Sequence, residues 1–254
     1  MNLTTWNVNS IRARKDRVLA WFDAHHPDIV CMQETKCTDA DFPFAAFHER
    51  GYEVVHHGQK AYNGVAIVSR LPLSDVVVGV PDPTDPQARG VAARVGGLRV
   101  CGVYVVNGGA LDSDKYTYKL DWMEKLLAAA RPWAAEGGFV LCGDFNVAPE
   151  DADCFDPDAW RGDVLVSEPE RARYRALLGL GLIDTFRRLD RRPKQYTWWD
   201  YRGDMFNQNK GLRIDHHLVT PDVTERLLDV AIDTDERAGV GASDHAPVTL
   251  FLRD

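Results

Sequence analysis

Five short polar motifs stand where hydrophobic runs of this sequence stop: Trp6-Asn7-Val8-Asn9, Gln33-Glu34-Thr35, Gly143-Asp144-Phe145-Asn146, Arg213-Ile214-Asp215 and Ser243-Asp244-His245. Alone, each is weak. An asparagine after a strand usually bonds the local backbone of a turn, and a lone carboxylate is usually solvated. Five together, on loops at strand ends, are where a rigid scaffold places catalytic groups. Their residue types suit phosphodiester hydrolysis. A hard cation such as Mg²⁺, with Mn²⁺ as a substitute, takes a few carboxylate and amide oxygens and keeps several waters. Asn7, Glu34 and Asp244 can supply that set, with Asp144 and Asn146 also facing the metal. Asp144 and Asn146 can align a nucleophilic water. Asp215 can hold the ring of His245 and favour its charged form, so that His245 donates to a phosphate oxygen. Tyr104 adds a hydroxyl donor at the end of its strand.

Regular elements must position these groups. Strand-like runs occur at LTTWNV near the start and at 28–32, 64–68, 98–106, 139–142, 216–219 and 247–252. Helical periodicity lies between them. Ser10 can cap a helix that turns Ile11, Val18, Trp21 and Phe22 to one face and stops near His26-Pro27, because proline disfavours helix in the preceding residue. Ser113 can open another, with Tyr116, Leu120, Met123 and Leu127 inward, ending near Gly137-Gly138. Ser167 and Glu170 have capping-box spacing ahead of Arg171–Leu178. The stretch 81–90 is rich in proline and aspartate and reads as a surface loop. Strands mixed with helices indicate a layered α/β fold, read as a single domain over residues 1–254.

Composition narrows the class. The chain has 254 residues, 45% hydrophobic and 27% charged, an ordinary globular balance. The net charge of −8 argues against a protein that merely coats nucleic acid, which needs clustered Lys and Arg. A metal enzyme tolerates it, because carboxylates lower the net charge and the bound cation supplies positive field. Five scattered cysteines, Cys31, Cys37, Cys101, Cys142 and Cys154, read as reduced, and zinc is not expected without paired ligand spacing. No leader or membrane span is evident. A soluble, cytoplasmic monomer is expected.

Taken together, WNVN, QETK, YVVNGG, GDFN, YTWWDYR (196–202), GLRID (211–215) and SDH resemble the exonuclease III family of abasic-site endonucleases, over nearly the whole chain. The segment from YTWWDYR to GLRID is the most specific part. The resemblance implies a four-layer α/β sandwich, two packed mixed β-sheets flanked by helices, with the site at one edge. It implies a Mg²⁺-dependent enzyme that cuts double-stranded DNA 5′ to abasic sites and trims 3′ ends. Glu34 would be the principal metal ligand with Asn7 and Asp244 nearby, and Asp144 the base or water-orienting carboxylate with Asn146 beside it. Tyr104 and Asn107 would contact the phosphate, Asp215 and His245 would form a coupled pair, and Arg213 would contact substrate. Trp198 and Leu212 would line the pocket for the extruded sugar.

The chain departs from the family pattern in two places. Val105-Val106 precede Asn107 where many relatives carry proline, which loosens the loop. His216 and His217 follow Asp215 where relatives place apolar or aromatic residues, and they read as strand histidines. The other pairs, His25-His26 and His56-His57, read as surface or packing residues, and Trp198-Trp199 could equally be core. A relative acting on inositol lipids, sphingomyelin or RNA would share Glu34, Asp144, Asn146, Asp244 and His245, so only the YTWWDYR to GLRID segment favours DNA. A binding module without catalysis would not need the set intact.

Overall fold

Period-two alternation, with both faces apolar, gives the strands of this chain two coverings. In the second strand Ile29 and Cys31 face the opposite sheet, whereas Val30 and Met32 face an outer helix. The computed structural model describes residues 1–190 and 192–253. Its strands are β1 (Asn2–Asn7), β2 (Ile29–Gln33), β3 (Glu53–His57), β4 (Val65–Ser69), β5 (Ser74–Val78), β6 (Gly90–Val95), β7 (Leu98–Tyr104), β8 (Phe139–Asp144), β9 (Ile183–Asp184), β10 (Asp215–Val219), β11 (Leu227–Ile232) and β12 (Val248–Leu252). They form two six-stranded sheets, in the orders β11-β12-β1-β2-β4-β3 and β5-β6-β7-β8-β10-β9. Each is mixed: β1 runs parallel to β2 and β7 to β8, and the other pairs are antiparallel. Leu3, Ile67, Val91, Val100, Val140 and Val219 fill the space between the sheets. Helices cover both outer faces, giving the four layers expected.

The helix Ile11–His25 starts at Ser10, whose side chain accepts from Ala13 N, and ends at a left-handed His26. It buries Ile11, Val18, Trp21 and Phe22, as its spacing predicts. The helix Asp114–Glu136 is capped by Ser113 and buries Tyr116 and Met123, but Leu120 and Leu127 are only half-buried. Lys119, Trp122 and Leu126 occupy the inward stripe instead. The capping box at Ser167 and Glu170 is formed, and the helix is Glu168–Leu178. The proposed loop at 81–90 ends one residue early, because Gly90 opens β6. All five cysteines are buried and unpaired. No helix among the described residues is long and apolar enough to cross a membrane.

Candidate active site

Strand parity collects the chemistry at one end of the seam between the sheets. In β7, β8 and β10, alternate residues face inward, and Tyr104, Asp144 and Asp215 take that parity at the strand ends. The register then sets them side by side: Tyr104 opposes Asp144, and Asp144 opposes Asp215. Gly143 allows this close pairing, since a Cβ there would lie 1.9 Å from Val103 O and its φ is +150°. From the other sheet, β1 brings Asn7, and the turn after β2 brings Glu34 in a left-handed conformation (φ +52°). That turn is held by Thr35 N to Gly64 O and Lys36 N to Asn63 O, and behind it His56 Nε2 meets the Thr35 hydroxyl at 2.8 Å. His56, read as a packing residue, therefore supports the Glu34 turn.

Asn7 joins the two sheets. Its amide donates to Glu34 Oε1 at 2.8 Å and to Asp144 Oδ2 at 2.9 Å. His245 Nδ1 lies 2.9 Å from Asp215 Oδ2, and its Nε2 lies 3.7 Å from Asp144 Oδ2. RID and SDH thus converge across 30 residues of sequence. Burial alone would lower the pKa of His245, but the Asp215 and Asp144 carboxylates outweigh it and raise it to about 10. With both carboxylates beside it the ring is held charged, Nδ1 facing Asp215 and Nε2 facing Asp144. Burial pushes Asp144 up to about 7, with the like charge of Asp215 adding and His245 opposing; a group near neutrality suits general-base work. For Glu34 burial is outweighed by Lys36 and Asn7, and its carboxyl is held below the usual range. Burial raises Tyr104 well above its ordinary value, so its hydroxyl stays a donor.

Glu34, Asp144 and His245 lie with one candidate ligand atom each inside 4.8 Å. Four carboxylates, Glu34, Asp144, Asp215 and Asp244, stand here with Lys36 and a protonated His245, and the Asp144 charge is partial because its pKa is about 7. The carboxylate excess and the oxygen donors fit a hard divalent cation. Asp244 stands just outside the cluster: its carboxylate accepts from Trp198 Nε1 at 2.9 Å and from Asn9 Nδ2 at 3.0 Å. Asn146 (φ +49°) is fixed by its own N to Asp144 Oδ1 and by its amide to Val105 O. Asn107 reaches Asn146 Oδ1 at 3.3 Å.

The lesion-pocket residues divide. Trp198 is half-buried and stands edge-on to Trp160, 6.4 Å between ring centroids. Leu212 is fully buried, packs with Trp160 and Trp198 and pairs with the Trp198 backbone. Trp199 is core. Arg213, expected at the substrate, lies inside the protein. It is 1% exposed, and its guanidinium is consumed by Asp153 (Nε to Oδ1, 2.7 Å) and Asp184 (2.8 Å). His216 and His217 are buried strand residues. Sequence reasoning missed Arg89, which stacks on Tyr104 at 4.9 Å and donates to its carbonyl, and it missed Trp160. Neither lies in a recognisable motif. It also left unassigned Lys36, which pairs with Glu34 at 2.7 Å and stands in QETK beside it.

Residues 4–245 match the model of the endonuclease/exonuclease/phosphatase family. The chain is 34% identical to exodeoxyribonuclease III of Haemophilus influenzae, over 98% of each chain. The chain belongs to this family, in its exonuclease III group. Among solved structures, a 3′ phosphatase from Neisseria bound to a product DNA hairpin matches with TM-score 0.98 and 47% identity, over 100% of this chain and 99% of that one. An AP endonuclease from Archaeoglobus fulgidus matches with TM-score 0.95 and 38% identity, over 99% of each. The exonuclease III group is metal-dependent, in keeping with the charge excess at the seam.

Proposed function

We propose that this chain is a DNA-repair phosphodiesterase that uses Mg²⁺, with Mn²⁺ as a substitute, to cut duplex DNA 5′ to abasic sites and to remove nucleotides or blocking groups from 3′ ends. It would act as a cytoplasmic monomer and a single catalytic unit. Glu34 would hold the metal, with oxygens of Asp144, Asn146 and Asp244 nearby, and Asn7, whose amide nitrogen donates to Glu34 and Asp144 while its oxygen accepts from Asn9 N, would hold those carboxylates in place. The bound ion would supply Lewis-acid stabilisation of charge on the phosphoryl group and the leaving oxygen. Asp144, its proton affinity raised by burial, takes the proton of the attacking water, and Asn146 fixes that carboxylate through its backbone N–H. His245, kept charged by Asp215, donates toward the phosphoryl oxygens where charge builds in the transition state. Tyr104 and Asn107 add neutral donors to the same phosphate.

The observation that carries the reading is the bond from Trp198 Nε1 to Asp244, which sets an aromatic wall one residue from His245. A sugar without its base could be received there while an ordinary nucleotide is refused. The test is incubation with duplexes bearing one abasic site, a recessed 3′ end or a 3′-phosphate, with and without chelator. Cleavage should vanish in chelator and return with Mg²⁺. Glu34→Ala should lower the rate about 10³-fold, consistent with losing several kcal/mol of metal stabilisation. Full activity in chelator, with Glu34→Ala equal to the parent, would sink the metal assignment.

A further inference from the structure

Lys119 carries a cationic head on a fully buried side chain of the helix Asp114–Glu136. An ammonium has three donors, and each has an acceptor here. Nζ donates to Asn146 O at 2.7 Å, to Asn107 O at 3.1 Å, and to the carboxylate of Glu170. The two carbonyls belong to the two loops whose amide side chains stand at the phosphate position. Those loops are joined near the strand ends by Val105 N to Asp144 O at 2.8 Å and by the Asn146 amide to Val105 O at 2.9 Å, but Asn107 itself reaches Asn146 Oδ1 only at 3.3 Å. Asn146 stands at φ +49°, in the left-handed region that asparagine tolerates better than other side chains. Glu170, for its part, is tied to backbone. It accepts from Leu165 N and Ser167 N at 3.0 Å each, as the third residue of its capping box. The loop passes close over the lysine stem: a Cβ on Gly108 (φ +103°) would lie 3.2 Å from Lys119 Cδ.

We propose that Lys119 is a positioning residue of the reaction, one ammonium that ties the Asn107 and Asn146 loops together and sets the spacing of their amides at the scissile phosphate. The proposal rests on the phosphodiesterase reading, but the clamp itself does not depend on which substrate is bound. A bare ion pair would serve the fold equally well without the two carbonyls, and that difference separates the roles. Glu170→Gln keeps a side chain able to complete the capping box and leaves the Lys119 bonds to both carbonyls available. Lys119→Met keeps the stem and removes all three bonds. Lys119→Met/Glu170→Gln leaves no buried charge unpaired, so it preserves the fold should the single methionine variant fail.

The experiment measures single-turnover cleavage of an abasic duplex, the Kd for the same DNA in chelator, and amide hydrogen exchange. The methionine variant, or the double variant in its place, should cleave about 10²-fold more slowly, the cost of roughly 1 Å of misplacement, while Kd moves less than about 3-fold. Exchange should quicken in 104–109 and 144–148. Glu170→Gln should stay within about 3-fold of the parent rate and quicken exchange chiefly in 165–178. Methionine variants that cleave like the parent, or exchange unchanged at both loops, would overturn the clamp. So would rates that fall alike in Lys119→Met and Glu170→Gln. A parent that cuts no DNA would instead defeat the substrate reading, and the exchange pattern would still decide the clamp.

Discussion

Arg213 and Asp215 stand two positions apart, yet their surroundings are opposite in kind. Around Arg213 the charges cancel: its guanidinium and that of Arg187 meet the carboxylates of Asp153 and Asp184, two against two. The Arg213 and His216 donors are also satisfied, since Arg213 reaches His216 Nδ1 at 2.9 Å and the far ring nitrogen reaches Val147 O at 2.9 Å. His216 must then accept at Nδ1 and donate at Nε2, which defines a neutral tautomer. Burial, with the Arg213 charge adding, lowers its pKa to about 4. Around Asp215 the charges do not cancel. Carboxylates outnumber cations, Asp144 is driven toward neutrality and His245 is held charged. Opposed titration behaviour in adjacent groups marks acid and base assignments, whereas a closed, neutral network marks a structural joint.

The sharpest way to break this contrast is to remove one charge from each side. On the seam, Asp215→Asn keeps shape but not charge, and single-turnover cleavage should fall about 10²–10⁴-fold. His245→Asn should fall by a similar factor, and the double variant by little more than either, because each acts through the other. Losses that multiply would mean that the two residues act independently. On the Arg213 side, Arg213→Met leaves buried Asp184 without its ion pair and Asp153 with Arg187 alone, and should lower unfolding stability by about 3–5 kcal/mol. Chemical denaturation reads that loss, and the folded fraction should keep its cleavage rate within about 3-fold. A rate loss beyond that would return Arg213 to the substrate.

The third measurement uses pH. The His216 pKa is lower in the folded protein than in the unfolded chain, so the unfolded chain takes up its proton first as pH falls. The contribution of His216 is therefore complete above pH 6.5 and is lost progressively from there toward pH 4, amounting to about 3 kcal/mol. His217, lowered to about 3 by burial, adds with the same sign. Urea midpoints for the parent should drop through this window and drop less for His216→Gln; parallel curves would exclude His216 as a source. The smallest effect belongs to the pocket. Trp198→Ala should lower the preference for abasic over intact duplex by roughly 10-fold, the scale on which apolar pocket contacts discriminate. DNA binding should change less, because phosphate contacts position DNA without reading the lesion. An equal loss on both duplexes would make Trp198 a general support.

Most of this site was legible because its residues lie where strands end, and strand ends can be read locally. The well-covered runs β1, β2, β4, β7, β8, β10 and β12 show as apolar stretches. By contrast, β5 is exposed along its whole length at a sheet edge, and β11 carries Asp229 among exposed positions, so neither has a hydrophobic signature. Charged residues inside the protein are hidden for another reason. Arg213 looks like any arginine until its partner, 60 residues away, is in place. Lys119 likewise reads as the polar side of a helix, because its acceptors are two backbone carbonyls and a glutamate 51 residues on.

The seam between the sheets has a consequence for variation away from the site. Asn7, Glu34 and His245 ride on one sheet, and Tyr104, Asp144 and Asp215 ride on the other. The gap across which Asn7 meets Asp144 is therefore a thickness, set by interior side chains such as Ile29, Cys31, Val140 and Cys142. Close-packed interiors transmit small changes of volume. A methylene added or removed there would be an active-site change at one remove, altering turnover with every polar group intact.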